Sequence, residues 1–264
     1  MKNNKNHKFL VLFKKELFTL LLQSGTYIAS FVFLFGFAIS FFIFGGFFTY
    51  NQTVDLKNFF SFFPFLLIVF IPLISFNIFK KENLFFTFAI SDFFKIFAKF
   101  LALFIIFACN VFITIFNLFF VSRFGSLDFS QIFTIYFILF LYGAMLISFS
   151  IFIQVLFENK IASISVLFAL LAVFNIIHIL PKYCSINNEA FLSLIKFISF
   201  SSHFENATKG IFSIGDVLFY IILTIAFLFF SVKFMQKKSG KKFFTLKTAL
   251  VFGIFLFCLI DSSL

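Results

Sequence analysis

The chain has 264 residues, of which 62% are hydrophobic and 58 are phenylalanine, and it carries a formal net charge of +11. This composition excludes an ordinary soluble domain. Charged side chains are absent from six long runs, at residues 17–54, 58–79, 100–122, 129–157, 161–181 and 217–232. Because about 20 apolar residues in a helix cross a hydrocarbon core, the sequence predicts an all-α polytopic membrane protein with six transmembrane helices.

The N-terminal region predicts an interfacial helix followed by the first two spans. Residues 7–23 place apolar side chains on one helical face and polar ones, including Lys15 and Glu16, on the other. Such a helix lies in the membrane interface with its lysines toward anionic headgroups. We expect this elbow helix to lead into a first span over about 27–49 and a second over about 59–79.

The segment 80–99, between the second and third spans, carries the next group of charges. Ser91 predicts the cap of a short helix, and Asp92 then lies in its first turn, where the helix dipole favours a carboxylate. Lys95 and Lys99 fall on the same helical face as Asp92. Two interpretations stay open, because this helix fits an interfacial anchor and also a polar face that docks on a cytoplasmic partner.

Three further spans follow, predicted over about 100–121, 131–157 and 161–180. Their in-span amides are expected to form hydrogen bonds between helices, and these residues are Asn110, Asn117, Gln154 and Asn175. The next segment predicts an outer helix from Asn187 or Asn188 to about Phe200, too short and amphipathic to span, which lies on the outer leaflet or re-enters it.

The sixth span is predicted over about 217–235 and completes a six-span domain over residues 1–242. Residues 243–264 form a short apolar C-terminal tail, because the apolar run 248–260 is shorter than a span requires. We read this tail as interfacial or partly inserted, with a seventh span as the minor alternative.

The basic residues divide unequally between the two sides of this topology. The N-terminal segment and the segments 80–99, 158–160 and 233–247 share one side, and together they hold 16 of the 21 Lys and Arg residues. Because basic loops stay cytoplasmic, we expect a cytoplasmic N-terminus and a location in the bacterial cytoplasmic membrane. The same asymmetry accounts for the net charge, so no nucleic-acid partner is expected.

Several kinds of chemistry have no signature in this sequence. It contains no G-x-x-x-x-G-K-[ST] phosphate-binding loop and no H-E-x-x-H motif, and its three histidines are scattered, so no metal site is expected. The six uncharged runs also lack the in-membrane Asp, Glu, Lys or Arg residues that ion-coupled carriers use. We therefore expect no enzymatic activity from this chain, and any driving reaction for transport would occur on a partner.

Three stretches share an order and spacing of residues with a known family. The first, residues 13–28, reads FKKELFTLLLQSGTYI, a basic-Glu-Leu element followed by Ser24 and Tyr27. The second, residues 79–100, carries Lys80, Lys81, Glu82, Ser91, Asp92 and Lys99. The third, residues 201–221, carries His203, Phe204, Gly210, Asp216 and Tyr220. For the third stretch we offer the hypothesis that Gly210 permits a backbone turn and Asp216 caps the sixth helix.

In this order the stretches resemble the membrane subunit of type-2 ABC exporters, in particular the permeases encoded with gliding-motility and copper-maturation transport systems. The resemblance implies a six-span permease that pairs with a second permease, identical or different, around a translocation path in the lipid bilayer. It also implies a separate ABC ATP-binding subunit, which holds the ATP and Mg²⁺ and docks on the segment 80–99. No cofactor is then bound by this chain, and the outer motif around His203 and Asp216 has a structural or gating role.

Two other functions compete with that of a permease. A membrane protein with an assembly or structural role and no transport activity would show the same spans, so only the chemistry of its partner would separate the two. An intramembrane enzyme is the weaker alternative, because it needs catalytic groups inside its spans, and none is present in the six runs.

Overall fold

The structure is a computed structural model that describes residues 2–44, 60–76, 78–79, 91–121, 128–157, 159–177, 179 and 189–238. Over these residues the chain forms helices and no strand. The principal helices, in chain order, are α1 (Lys2–Leu21), α2 (Ser24–Phe44), α3 (Phe63–Ser75), α4 (Asp92–Val121), α5 (Phe129–Leu156), α6 (Lys160–Ile176), α7 (Glu189–Ile198), α8 (Phe200–Thr208) and α9 (Ile214–Lys238).

Within the described residues, three helices are each long and apolar enough to cross a membrane, namely α4, α5 and α9. A fourth crossing results if α1 and α2 are counted together, although they meet at an angle of 67°. Helices α3 and α6 are apolar but have only 13 and 17 residues, fewer than the roughly 20 that a span needs. The fold is that of an α-helical, membrane-embedded protein, and the six-span count stays a prediction.

The bend between α1 and α2 lies at Leu22 and Gln23, where the predicted elbow helix meets the predicted first span. The Thr26 hydroxyl donates a 2.6 Å hydrogen bond to the carbonyl oxygen of Leu20, and the Thr26 amide donates to the carbonyl oxygen of Gln23. These bonds satisfy backbone groups that a helix end leaves without partners. The sharp change of direction is therefore fixed by local hydrogen bonds.

Helix α4 is longer than the sequence predicted. The short helix expected from Ser91 and the span expected over 100–121 form one continuous helix of 30 residues. Its first backbone bond runs from the Lys95 amide to the Ser91 carbonyl oxygen, at 3.2 Å. No Gly or Pro interrupts the segment from Asp92 to Val121, so nothing in the sequence ends the helix at the predicted boundary.

Helix α5 lies at the centre of the bundle and contacts α3, α4, α6, α8 and α9. It begins at an N-cap, Asp128, whose carboxylate accepts a 2.9 Å hydrogen bond from the Ser130 amide. Most of its length is buried, including the large side chain of Tyr142. Its first turn contacts the end of α8 through a hydrogen bond from Gln131 to Thr208, and its last turn lies near the start of α4, where Gln154 and Asp92 border one cleft.

Helices α4 and α5 approach closely at Gly143, which lies against the ring of Phe107. A Cβ atom at position 143 would lie 2.2 Å from two ring carbons of Phe107. Phe107 is fully buried, and its ring also packs 6.2 Å from that of Phe140 in α5. Only glycine permits this approach, because the ring that fills the space has little room to move.

The outer segment forms two helices where the sequence predicted one that ends near Phe200. Ser199 adopts an extended backbone conformation between α7 and α8, which breaks the predicted helix there. After α8, Gly210 adopts a positive φ of 77°, and the amides of Gly210 and Ile211 donate back to the last turn of α8. This left-handed turn is the usual reason for glycine after a helix, and it leads the chain into α9.

Other predicted features lie outside the described residues. The tail at 243–264, the candidate caps Asn187 and Asn188, and the ends of the first, second and fifth spans belong to this group.

We expect Gly143→Ala to destabilise the fold by about 1–3 kcal/mol, the usual cost of overpacking a filled core. Gly36→Ala is the matched control, because a Cβ atom there meets only the flexible end of the Leu66 side chain. Thermal unfolding in detergent compares the two variants. Equal melting temperatures for Gly143→Ala and the native protein would contradict the described packing of α4 on α5.

Candidate functional site

Lys99 is the most completely buried charge among the described residues. It is 2% exposed, and its Nζ atom lies 3.2 Å from Glu16 Oε2 and 2.7 Å from the carbonyl oxygen of Ile78. The same ammonium group lies 5.1 Å from the centre of the Phe79 ring. We call Glu16, Ile78, Phe79 and Lys99 the lysine cluster, and it joins α1, α4 and the residues after α3.

The lysine cluster corrects two predictions. Lys99 faces the inside of the bundle, so it is not part of an exposed face that docks on a partner. Glu16 is 6% exposed and turns toward Lys99, although the helical wheel placed it on the polar, headgroup-facing side of α1. Both changes have one cause, because a charge buried in an apolar bundle requires a partner of opposite charge.

An open cleft lies at the same end of the bundle as the lysine cluster. Its volume is ≈ 390 Å³, and it is bordered by the start of α4, the end of α5 and the end of α9. The lining residues are Phe79, Asp92, Lys95, Gln154, Val155, Phe157, Met235 and Lys238. Asp92 and Lys95 form an ion pair of 3.7 Å beside it. Two residues of the predicted docking segment 80–99, Asp92 and Lys95, therefore line this cleft.

The other candidate residues of the docking segment 80–99 divide into two groups. Ser91 is exposed and immediately precedes α4, in the position of a helix cap. Lys80, Lys81 and Glu82 lie outside the described residues.

The third predicted stretch folds into one compact group at the opposite end of the bundle. His203 Nδ1 lies 2.6 Å from Asp216 Oδ1, and Asn206 Nδ2 donates to Asp216 Oδ2 at 3.1 Å. His203 Nε2 lies 3.3 Å from the carbonyl oxygen of Phe197. The imidazole stacks on the Phe219 ring with the two centres 4.0 Å apart. We call these five residues the histidine cluster, and it joins α7, α8 and α9.

Asp216 differs from its predicted role as a helix cap. Helix α9 begins at Ile214, so Asp216 lies inside the first turn, where the helix dipole favours its negative charge. One carboxylate oxygen accepts a hydrogen bond from Asn206 of α8, and the other lies 2.6 Å from Nδ1 of His203 in the same helix. The carboxylate therefore ties two helices together.

The other residues of the third stretch lie around the histidine cluster. The Tyr220 hydroxyl donates 2.8 Å to the carbonyl oxygen of Phe200, and Phe204 stacks on Tyr142 of α5 at 5.8 Å. Gly210 lies beside Gln131, whose side-chain amide donates 2.7 Å to the carbonyl oxygen of Thr208. The five predicted residues of this motif thus anchor the segment to α5 and α9.

Sequence reasoning missed several partners in these two clusters. Glu16 had a usable signal, since it is the only acidic residue in the first 54 positions. Asn206, Phe197 and Phe219 gave none, because their roles depend on how α7, α8 and α9 meet. Asn175 was predicted as an interhelical hydrogen-bond partner, and its side-chain oxygen does accept from the Tyr142 hydroxyl of α5.

The described residues contain no group of three or more His, Cys, Asp or Glu side chains arranged to hold a metal ion. The two clusters are built from ion pairs, aromatic contacts and hydrogen bonds to backbone carbonyls. Such an arrangement can hold helices in a defined relation and respond to a change of charge.

By its fold the chain is a membrane-embedded α-helical protein. Comparison with family models, with curated proteins and with solved structures gave no match. A function is therefore argued from the residues and contacts described above.

We expect Lys99→Met to destabilise the protein by about 3–5 kcal/mol, because it leaves the buried Glu16 carboxylate without its counter-charge. The double variant Glu16→Gln with Lys99→Met removes both charges and should recover much of that loss. Lys15→Met is the control, since Lys15 is exposed on the same helix as Glu16. Unfolding in detergent measures all three variants. If the double variant is no more stable than Lys99→Met, the ion pair does not govern this contact.

Proposed function

We propose that this chain is the membrane-spanning permease subunit of an ATP-driven ABC exporter. It would line a translocation path together with a second permease subunit in the bacterial cytoplasmic membrane. A separate ABC subunit would bind ATP and Mg²⁺ and dock near the segment 80–99. The driving energy would come from that subunit. ATP would shift the complex between two conformations because it binds one of them more tightly than the other.

The observation that supports this proposal most directly is that residues of the resembling stretches form buried polar contacts within the bundle. Glu16 of the first stretch forms an ion pair with Lys99 of the second, although 83 positions separate them. His203 of the third stretch contacts Asp216 of the same stretch. Of the residues that suggested the family, Glu16 and Lys99 thus lie in the lysine cluster, and His203 and Asp216 lie in the histidine cluster.

The open cleft supports a docking role for the same end of the bundle. It adjoins the start of α4, and its rim carries Asp92, Lys95 and Lys238. A partner surface with complementary charges would be steered to such a rim. In the proposed orientation this end faces the cytoplasm, in agreement with the excess of basic residues in the segments on that side.

The six-span arrangement belongs to the proposal as well. In it, α1 lies in the interface, and α2 crosses after the bend at Gln23. Helices α3 and α6 would cross together with flanking residues, since each is shorter than a full span. Helices α4, α5 and α9 complete the set.

The ATP-driven function is tested by purifying the chain from its own cells together with the proposed ATP-binding subunit. The complex should hydrolyse ATP, whereas the chain alone should not. Lys238→Glu at the cleft should lower recovery of the partner by up to about fivefold, the scale of one exposed ion pair. Lys196→Glu makes the same charge change on an exposed residue of α7 and should leave recovery unchanged.

Two results would count against the permease function. One is purification of the folded chain without any ATP-binding subunit. The other is a stable complex whose ATP hydrolysis is the same with and without the chain, which would favour the assembly or structural alternative.

The proposed orientation has its own test. Single cysteines replace Lys8 in α1 and Lys196 in α7, both exposed, in a background without the native cysteines. An impermeant thiol reagent applied to intact cells should label position 196 and spare position 8. Both positions should react after the membrane is permeabilised, which serves as the control. Labelling of position 8 in intact cells would show that the topology is the reverse of the proposed one.

A further inference from the structure

The imidazole ring of His203 lies between two oxygen atoms, and each can accept a hydrogen bond from the ring nitrogen that faces it. Nδ1 faces Asp216 Oδ1 at 2.6 Å, and Nε2 faces the Phe197 carbonyl oxygen at 3.3 Å. A carbonyl oxygen cannot donate, and an ionised carboxylate cannot donate either. A neutral imidazole has one N–H group and one lone pair, so it satisfies only one of these two acceptors.

The contacts are all satisfied when the His203–Asp216 pair holds one proton more than a neutral ring beside an ionised carboxylate. In an imidazolium ring both nitrogens donate. If the extra proton resides on Asp216, its hydroxyl donates to Nδ1 and Nε2–H still donates to Phe197. The hydrogen-bond geometry is therefore satisfied with the extra proton on either side of the His203–Asp216 contact. Stacking on Phe219 at 4.0 Å further favours a positively charged ring.

We propose that the His203–Asp216 pair is a proton-binding site whose protonated state fastens the end of α7 to α8 and α9. Loss of the proton leaves the Nε2 lone pair facing the Phe197 carbonyl oxygen, so that contact becomes repulsive and the last turn of α7 is released. We call the contacts of His203 with Asp216 and Phe197 the proton latch. It closes as the pH falls and opens as the pH rises. This inference does not depend on the transport function.

The charges around His203 come from the elements packed on it. Helix α9 contributes Asp216 and also Tyr220, whose ring lies 6.3 Å from the imidazole and whose hydroxyl donates to Phe200. Along the chain, the nearest charged residues of the other two helices are Lys196 of α7, next to Phe197, and Glu205 of α8, two positions after His203. The Asp216 carboxylate is the ionisable group in hydrogen-bond contact with the ring.

A nitroxide spin label at Lys196, an exposed position on α7, reports the state of the latch in the full chain in lipid nanodiscs. The ratio of immobilised to mobile label should fall about tenfold between about pH 5 and about pH 8, since a hydrogen bond to a charged group is lost. A label at Leu218 on α9, which is 42% exposed, is the reference and should not change.

Variants separate the proton latch from a merely structural contact. His203→Asn retains a donor toward Asp216, does not titrate and is too short to reach Phe197, so the label should be mobile at both pH values. Asp216→Asn removes the carboxylate of the pair and should also abolish the pH response. His7→Asn changes an exposed histidine on α1 and should leave the response intact.

The proposal is overturned if the native label is equally mobile at both pH values, or if the response survives in His203→Asn. If His203→Asn does not fold, Asp216→Asn decides the question in the same way. A pH response that disappears in His7→Asn would also overturn it, because the titrating group would then lie on α1.

Discussion

The contact between Lys99 and Glu16 is an ion pair buried between helices α1 and α4, which also pack through the rings of Phe9, Phe94 and Phe97. A lysine inside an apolar bundle is stable only when an acidic group and further acceptors surround it. Glu16 supplies the charge, and the carbonyl oxygen of Ile78 supplies a second acceptor at 2.7 Å. Because these groups come from α1, α4 and the turn after α3, three elements must keep one relation. The need to neutralise one buried charge thus contributes to the position of the bent N-terminal helix, together with the packing of Phe9 on Phe94 and Phe97.

The opposite end of the bundle solves a similar problem with different chemistry. There the short helices α7 and α8 bury a few apolar side chains, among them Ile195, Phe200 and Phe204. Helix α8 is attached to α9 by the contact of His203 with Asp216 and the hydrogen bond from Asn206 to Asp216, and to α5 by the hydrogen bond from Gln131 to Thr208. The ion pair therefore joins α1, α4 and the residues after α3 at one end, and the hydrogen-bonded cluster joins α7, α8 and α9 at the other.

The long helices could be predicted from the sequence because their signal is local. Helix α5 was expected over 131–157 and α9 over 217–235, within three residues of the observed ends, since long uncharged runs bounded by polar residues define them. The partners in the clusters could not be predicted in the same way. A helical wheel gives the face on which Lys99 lies, but not the element that covers it. Helix α8 was missed because FSSHFENAT is short and mostly polar, although its buried residues Phe200, Phe204 and Ala207 follow helical spacing.

Helix α4 is a single rod of 30 residues, about 45 Å long, whereas the hydrocarbon core is about 30 Å thick. Such a helix must tilt or project beyond the core. Its first two turns carry Asp92, Lys95 and Lys99, and the Thr114 hydroxyl near its far end contacts the Tyr136 hydroxyl of α5 at 3.1 Å. Helix α4 has no glycine or proline between these points at which it could kink. A displacement of its first turn would therefore move the whole helix as a rigid body.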